Sequence, residues 1–199
     1  MTKRDIIKGL SNNMRVITGT ARGTALATLP GKDLIRPTSQ RVKEAMFSAI
    51  QFEIAGRRAL DIFAGSGQLG IEALSRGAIS CLFLEKEAAA LRVLKQNLAK
   101  TRLEERGVLR QCEALQYLRR APGCFGLIFL DPPYGQQLLQ AALPLAADCL
   151  EPGGLILCEA PAWEAMPGQA GAAALEKTYR HGKTQVLLYR SAAQKQESL

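Results

Sequence analysis

Histidine is almost missing from this chain: His181 is the only one. A Ser-His-Asp triad or a histidine-rich metal site would have to rest on that single residue, which sits in the turn-like stretch Arg180-His181-Gly182-Lys183. Neither reading suits it, and no metal is expected. Cysteine is equally unpromising for structural use. Cys81, Cys112, Cys124, Cys149 and Cys158 form no C-x-x-C pair, and an odd count suits no disulfide framework. They read as reduced, mostly buried thiols. No apolar run approaches the roughly 20 residues that a bilayer-crossing helix needs. The opening stretch, Met1 to Leu10, is charged and lacks the apolar core of a signal peptide, so the expected location is cytoplasmic.

What the chain does have is positive charge in one place. The formal net charge is +8, and residues 1–45 hold nine Lys and Arg against three acids. Most of the excess therefore lies in under a quarter of the chain. A concentrated basic segment attracts polyanions and contacts phosphates, so nucleic acid is favoured over a merely solvated face.

The 199 residues suffice for one domain with a real core. Residues 1–13 read as a flexible basic tail. Residues 14–36 read as short strands punctuated by Gly19, Gly23 and Pro30-Gly31, a small N-terminal β-hairpin element. Thr38 or Ser39 then suits a helix N-cap, and Val42, Ala45, Met46, Ala49 and Ile50 share one helical face. From Arg58 onward, apolar runs alternate with helical periodicity. Strands are expected at Ala59–Phe63, Cys81–Leu84, Val108–Cys112, Leu127–Leu130 and Leu155–Cys158, with a closing hairpin of Leu175–Tyr179 and Gln185–Tyr189. Such alternation predicts a mostly parallel sheet covered on both faces, with an antiparallel edge. Pro144 is expected to kink or divide the helix that follows Tyr134. The Ala/Gly-rich stretch 168–174 is expected to be a loop, and 191–199 a C-terminal tail.

Three motifs carry chemistry. Asp61-Ile62-Phe63-Ala64-Gly65-Ser66-Gly67-Gln68-Leu69-Gly70 contains G-x-G-x-x-G at the end of the first strand. Glycines there let the backbone approach a ligand, and the next helix start favours electronegative groups. The motif fits a nicotinamide cofactor as well as S-adenosylmethionine. Glu85 ends the second strand, where an acid can accept hydrogen bonds from the ribose hydroxyls of an adenosine cofactor. Asp131-Pro132-Pro133-Tyr134 follows the fourth strand and discriminates between the cofactors. Two prolines continue neither a ladder nor a helix, and they present carbonyls without N–H donors. A carboxylate, carbonyls and an aromatic ring suit an exocyclic amine of a nucleic-acid base. Asp131 and the Pro132 carbonyl can each accept an amine N–H, more strongly as positive charge develops on nitrogen. Tyr134 can stack on the base.

These residues resemble motifs of class I amino-methyltransferases, which have a Rossmann-like, seven-stranded α/β fold. The stretch Arg36-Pro37-Thr38-Ser39-Gln40-Arg41-Val42-Lys43-Glu44-Ala45-Met46-Phe47 is narrower. It resembles the signature of the bacterial 16S ribosomal RNA guanine-N2 methyltransferase family, and Arg15 to Leu26 resembles that family's N-terminal β-hairpin. The resemblance spans residues 14–190. It implies S-adenosylmethionine as cofactor and a guanine of small-subunit RNA, free or in an assembling subunit, as substrate. It places Thr38, Asp61, Ala64, Gly65, Ser66, Gly67, Glu85, Glu113 and Ala114 at the cofactor, Asp131 to Tyr134 at the reacting amine, and Arg15, Arg22 and Arg36 on the RNA. The methyltransferase domain would be 37–190, acting as a monomer. Gln40 replaces an expected acid, and Glu113 is one methylene longer than the usual Asp. The competing readings are a DNA adenine-N6 methyltransferase, a nicotinamide-dependent oxidoreductase, and a non-catalytic RNA-binding assembly factor. The chain has little room for a DNA target-recognition domain. The oxidoreductase leaves Asp131 to Tyr134 unexplained, and intact Asp131 and Tyr134 argue against lost catalysis.

Overall fold

The computed structural model describes residues 14–29, 40–120, 124–133 and 137–193. The elements in chain order are α1 (Gln40–Ala49), β1 (Arg58–Asp61), α2 (Gln68–Ser75), β2 (Ser80–Glu85), α3 (Ala88–Thr101), a 3-10 turn (Glu104–Arg106), β3 (Gly107–Gln111), α4 (Ala114–Leu118), β4 (Phe125–Leu130), α5 (Leu138–Ala147), β5 (Leu150–Pro161), β6 (Gln169–Ala170), β7 (Ala173–His181) and β8 (Thr184–Ser191). The strands form one sheet in the order β3-β2-β1-β4-β5-β8-β7-β6. β1 to β5 run parallel, and β8, β7 and β6 add antiparallel pairs.

All six residues of β4 are buried, as a central parallel strand covered on both sides requires. Alternate side chains feed two cores. Ala59, Phe83, Leu127, Phe129 and Leu157 pack with Val42, Met46, Phe47, Leu74 and Leu94 of α1, α2 and α3. Leu60, Leu84, Ile128, Leu130 and Ile156 pack with Leu118, Leu139 and Leu143 of α4 and α5. On α3 the buried set is Ala90, Leu94, Asn97, Leu98 and Thr101, one helical stripe. No helix among the described residues is long and apolar enough to cross a membrane.

The architecture agrees with the expected class, with three local corrections. Among the described residues the sheet has eight strands rather than seven. The extra one is β6, which arises because the Ala/Gly-rich stretch is a tight hairpin pairing Ala170 with Ala173 rather than a loop. Small side chains allow that approach where a propensity scale sees only weak strand formers. β5 starts five residues earlier than expected, at Leu150, with a register shift in its pairing to β4 between Phe125 and Leu127. Pro144 does not divide α5. Its missing N–H withholds a helical donor from the carbonyl of Gln140, a residue exposed on the helix surface. In the described part of the expected N-terminal hairpin element, residues 14–29, the Leu26 N–H donates to the Met14 carbonyl at 2.9 Å and the Val16 N–H to the Thr24 carbonyl at 3.0 Å, around an antiparallel bridge of Arg15 with Ala25, and side chains of α2 and α3 hold the segment as well.

Candidate active site at the carboxyl edge of the sheet

Chain order reverses between β1 and β4, which are hydrogen-bonded neighbours whose crossovers lead away in opposite directions. Their carboxyl ends therefore open a crevice, the usual ligand position in an open α/β sheet. β1 ends at Asp61 and the glycine loop, β2 at Glu85, β3 just before Glu113-Ala114, and β4 at Asp131-Pro132-Pro133. The topology thus brings the described candidates for cofactor and chemistry to one edge. Arg36, Thr38 and Tyr134 lie outside the described residues.

The glycine loop is shaped by its neighbours. The Gly67 N–H donates to the Ala64 carbonyl at 2.7 Å, and the Ala64 N–H to the Leu84 carbonyl at 3.0 Å. Gly65 and Gly67 take φ of 53° and 84°, which β-carbon-bearing residues rarely adopt. Their environments differ. A Cβ on Gly67 would lie 2.0 Å from Leu94 Cδ1, whereas one on Gly65 would meet nothing nearer than 4.0 Å. Gly67 therefore serves packing against α3, and Gly65 leaves open space on the ligand side.

Two carboxylates brace this loop. The Gly65 N–H donates to Glu85 Oε2 at 2.9 Å, and the Glu87 N–H to Oε1 at 2.8 Å. A carboxylate has about four acceptor positions, so Glu85 keeps capacity for further donors. The Gly70 N–H donates to Asp61 Oδ2 at 2.9 Å, tying β1 to the first turn of α2. Burial pushes the Asp61 carboxyl up to about 7, against the opposing pull of the Gly70 N–H and with a smaller push from Glu85. Glu113 is exposed and faces Lys86 at 3.8 Å, a pair of little energetic weight. Ala114 is buried in the same core as Ile62 and Leu84. Asp131 and Pro133 are half-buried and Pro132 is buried.

The N-terminal segment is coupled to this loop through residues the motif reading missed. Asn97 is 1% exposed. Its Oδ1 accepts from the Ala27 N–H at 2.8 Å, and its Nδ2 donates to the carbonyls of Ala27 at 3.0 Å and Ser66 at 2.9 Å. Glu72, wholly buried on α2, accepts from the N–H groups of Ile17 at 2.7 Å and Thr18 at 3.0 Å. It also pairs with Arg76 at 2.8 Å and Lys43 at 3.4 Å, and Lys43 donates to the Arg15 carbonyl at 2.6 Å. The segment thus runs along α2, over about 12 Å of helix, from Ser66 at one end to Ser75 at the other, where the Ala21 N–H meets the Ser75 hydroxyl. Arg15 and Arg22 are exposed on its outer side. A polar residue on the apolar stripe of α3, and an acid inside the apolar run 69–74, were the signals available for Asn97 and Glu72.

The sheet order with its carboxyl-edge site defines a methyltransferase of class I. The solved structure of yhhF from Escherichia coli superposes with a TM-score of 0.80 at 31% identity, covering 90% of this chain and 98% of that one. Residues 14–190 match the family described as Conserved hypothetical protein 95, and the chain belongs to that family. Ribosomal RNA small subunit methyltransferase D of Haemophilus influenzae is 39% identical over 152 residues, covering 73% of this chain and 78% of its own length. The protein of the same name from Escherichia coli is 32% identical over 186 residues, covering 92% and 93%.

Proposed function

We propose that this protein transfers a methyl group from S-adenosylmethionine to the exocyclic N2 amine of a guanine in 16S ribosomal RNA. The observation that carries the reading is the placement of Asp131-Pro132-Pro133 beside the Asp61–Gly70 loop, at the carboxyl ends of the adjacent strands β4 and β1. The names of the family relatives, small-subunit ribosomal RNA methyltransferases, support the substrate class. The residues fit the cofactor: Gly65 leaves room for close backbone approach, and Glu85 retains acceptor capacity for ribose hydroxyls. When bound, S-adenosylmethionine supplies an activated methyl on a sulfonium leaving group.

The chain's own residues act on the amine. The nitrogen lone pair of guanine N2 is delocalised into the ring and is weakly nucleophilic. The Asp131 carboxylate and the Pro132 carbonyl each accept one of its N–H groups, and both bonds strengthen as the nitrogen becomes cationic. Proline at 132 and 133 removes the N–H donors that would repel the amine. Tyr134 offers its ring to the base, replacing stacking lost when the nucleotide leaves its helix. Glu113 and Ala114 border the adenine, and Thr38 approaches the cofactor from the family signature. Arg15, Arg22 and Arg36 hold RNA phosphates, with residues 14–36 as the RNA-contacting element and 37–190 as the catalytic domain. The protein works in the cytoplasm as a monomer, on free or partly assembled small-subunit RNA. Mass spectrometry of 16S ribosomal RNA from a strain lacking this protein tests the reading. One N2-methylguanine should disappear, and an unchanged methylation pattern would refute it.

A further inference from the structure

The carboxyl edge continues past Asp131 to β5, β8 and β7, on the side away from the glycine loop and Glu85. β5 is the next strand after β4, with Cys158 opposite Leu130. At its far end Pro161 pairs with Thr184 of β8, and Thr184 pairs with His181 of β7. The β7–β8 turn and the end of β5 therefore lie side by side, at strand spacings of about 5 Å. The Ala162 N–H donates to the Lys183 carbonyl at 2.9 Å, joining the two. Trp163 follows, 82% exposed, and it is the chain's only tryptophan. Arg180, His181 and Lys183 beside it are all exposed.

The turn that carries Trp163 is fixed. Gln185 Nε2 donates to the carbonyls of Pro161 at 3.0 Å and Glu164 at 2.6 Å, and the Glu164 N–H donates back to Pro161 at 3.0 Å. The Glu164 carboxylate accepts from Gln140 Nε2 at 3.0 Å, anchoring the turn to α5. A large aromatic ring is thus held out to solvent by a braced backbone, on a turn tied to the β7–β8 turn that carries Arg180 and Lys183. Single exposed apolar residues are common on proteins. A braced indole adjoining a turn with two permanent cations, at the same carboxyl edge as Asp131, is a more specific arrangement. Its chemistry matches single-stranded nucleic acid, in which bases stack on aromatic faces while Lys and Arg meet the backbone.

We propose that Trp163, with Arg180, His181 and Lys183, forms a second RNA-contacting surface that stacks an unpaired base flanking the target nucleotide. This rests on the ribosomal RNA reading above. Because Trp163 is the only tryptophan, its fluorescence reports the contact directly. The full-length protein is titrated with a single-stranded oligoribonucleotide of mixed sequence. RNA should quench the emission. Trp163→Ala should bind about tenfold more weakly and Trp163→Phe within about threefold of the wild type, since a benzene ring still stacks. Arg180→Ala with Lys183→Ala should reduce the salt slope of binding by about two, which Trp163→Ala leaves unchanged. RNA binding with no quenching and with wild-type affinity in Trp163→Ala would overturn this surface while sparing the functional reading. Emission that changes with protein concentration alone would place the indole against a second copy of the chain, and would also overturn it. Failure of the wild-type protein to bind the oligoribonucleotide would also overturn this surface, whereas an unchanged 16S methylation pattern in a strain lacking the protein is what would refute the functional reading.

Discussion

Replacing Glu72 by Gln should loosen the N-terminal segment and cost stability that can be estimated from its contacts. Glu72 Oε2 accepts from the Ile17 N–H and Lys43, and Oε1 from the Thr18 N–H and Arg76. A glutamine keeps one oxygen and turns an NH2 toward the other two donors, so one backbone N–H loses its acceptor. Lys43, 1% exposed, loses its counter-charge. Removing one partner of a buried ion pair costs about 3–5 kcal/mol. Burial already holds the Lys43 ammonium below its usual range despite Glu72, so the amine can shed its proton, which caps the loss near the lower figure. About 3 kcal/mol corresponds to a fall in Tm of roughly 6–12 °C for a domain of this size. Thermal denaturation gives the fall, and hydrogen exchange should show the Ile17 and Thr18 amides deprotected. Lys43→Met combined with Glu72→Met should lose less than the two single changes together, since no charge is left stranded. A Tm within about 2 °C of wild type in Glu72→Gln, with both amides still protected, would refute the role assigned to this network.

Three further outcomes are expected. Asp61 titrates near 7 in the folded protein and near 4 when unfolded, so the native state holds a proton between those values that the unfolded chain lacks. Stability should therefore rise by about 2–3 kcal/mol from pH 8 to pH 5 in the wild type relative to Asp61→Asn; parallel pH profiles in chemical denaturation would show that Asp61 ionises freely. Glu85→Ala should weaken S-adenosylmethionine binding by about 1–3 kcal/mol in calorimetry, because it removes the proposed ribose acceptor and also frees the Gly65 N–H; unchanged affinity in a folded variant would count against the cofactor assignment. Arg15→Ala with Arg22→Ala should weaken RNA binding and flatten its salt dependence without altering cofactor affinity, since both side chains are exposed on the outer side of the segment; a wild-type salt slope would leave that segment a structural appendage.

Much of this fold is legible from local pattern because buried parallel strands read as unbroken apolar runs. Leu127–Leu130 is such a run, and the turn chemistry of Gly65 to Gly67 and of Pro132-Pro133 marks where β1 and β4 end. What escaped has no local signature. β6 consists of Gln169 and Ala170, two residues whose pairing depends on a hairpin partner rather than on strand propensity. The N-terminal segment reads as a hairpin, and its Val16 and Leu26 amides do donate within it, but those of Ile17 and Ala27 are taken by Glu72 and Asn97, residues 55 and 70 positions away. Contacts of that separation follow from the packing of α2 and α3 and carry no periodicity. The exposure of Trp163 was equally invisible, since an isolated aromatic near a proline reads as either core or surface.

The mechanism stands or falls on one carboxylate. Wild type and Asp131→Asn should be compared for methyl transfer to 16S ribosomal RNA, with S-adenosylmethionine affinity measured in parallel. The substitution keeps the shape but replaces a charged acceptor with a neutral amide able to turn its NH2 toward the substrate amine. Turnover should fall by about 10² or more while cofactor binding is preserved, as for removal of one bond that strengthens in the transition state. An Asp131→Asn enzyme turning over within a few-fold of wild type would contradict the assignment of that carboxylate to the reacting amine.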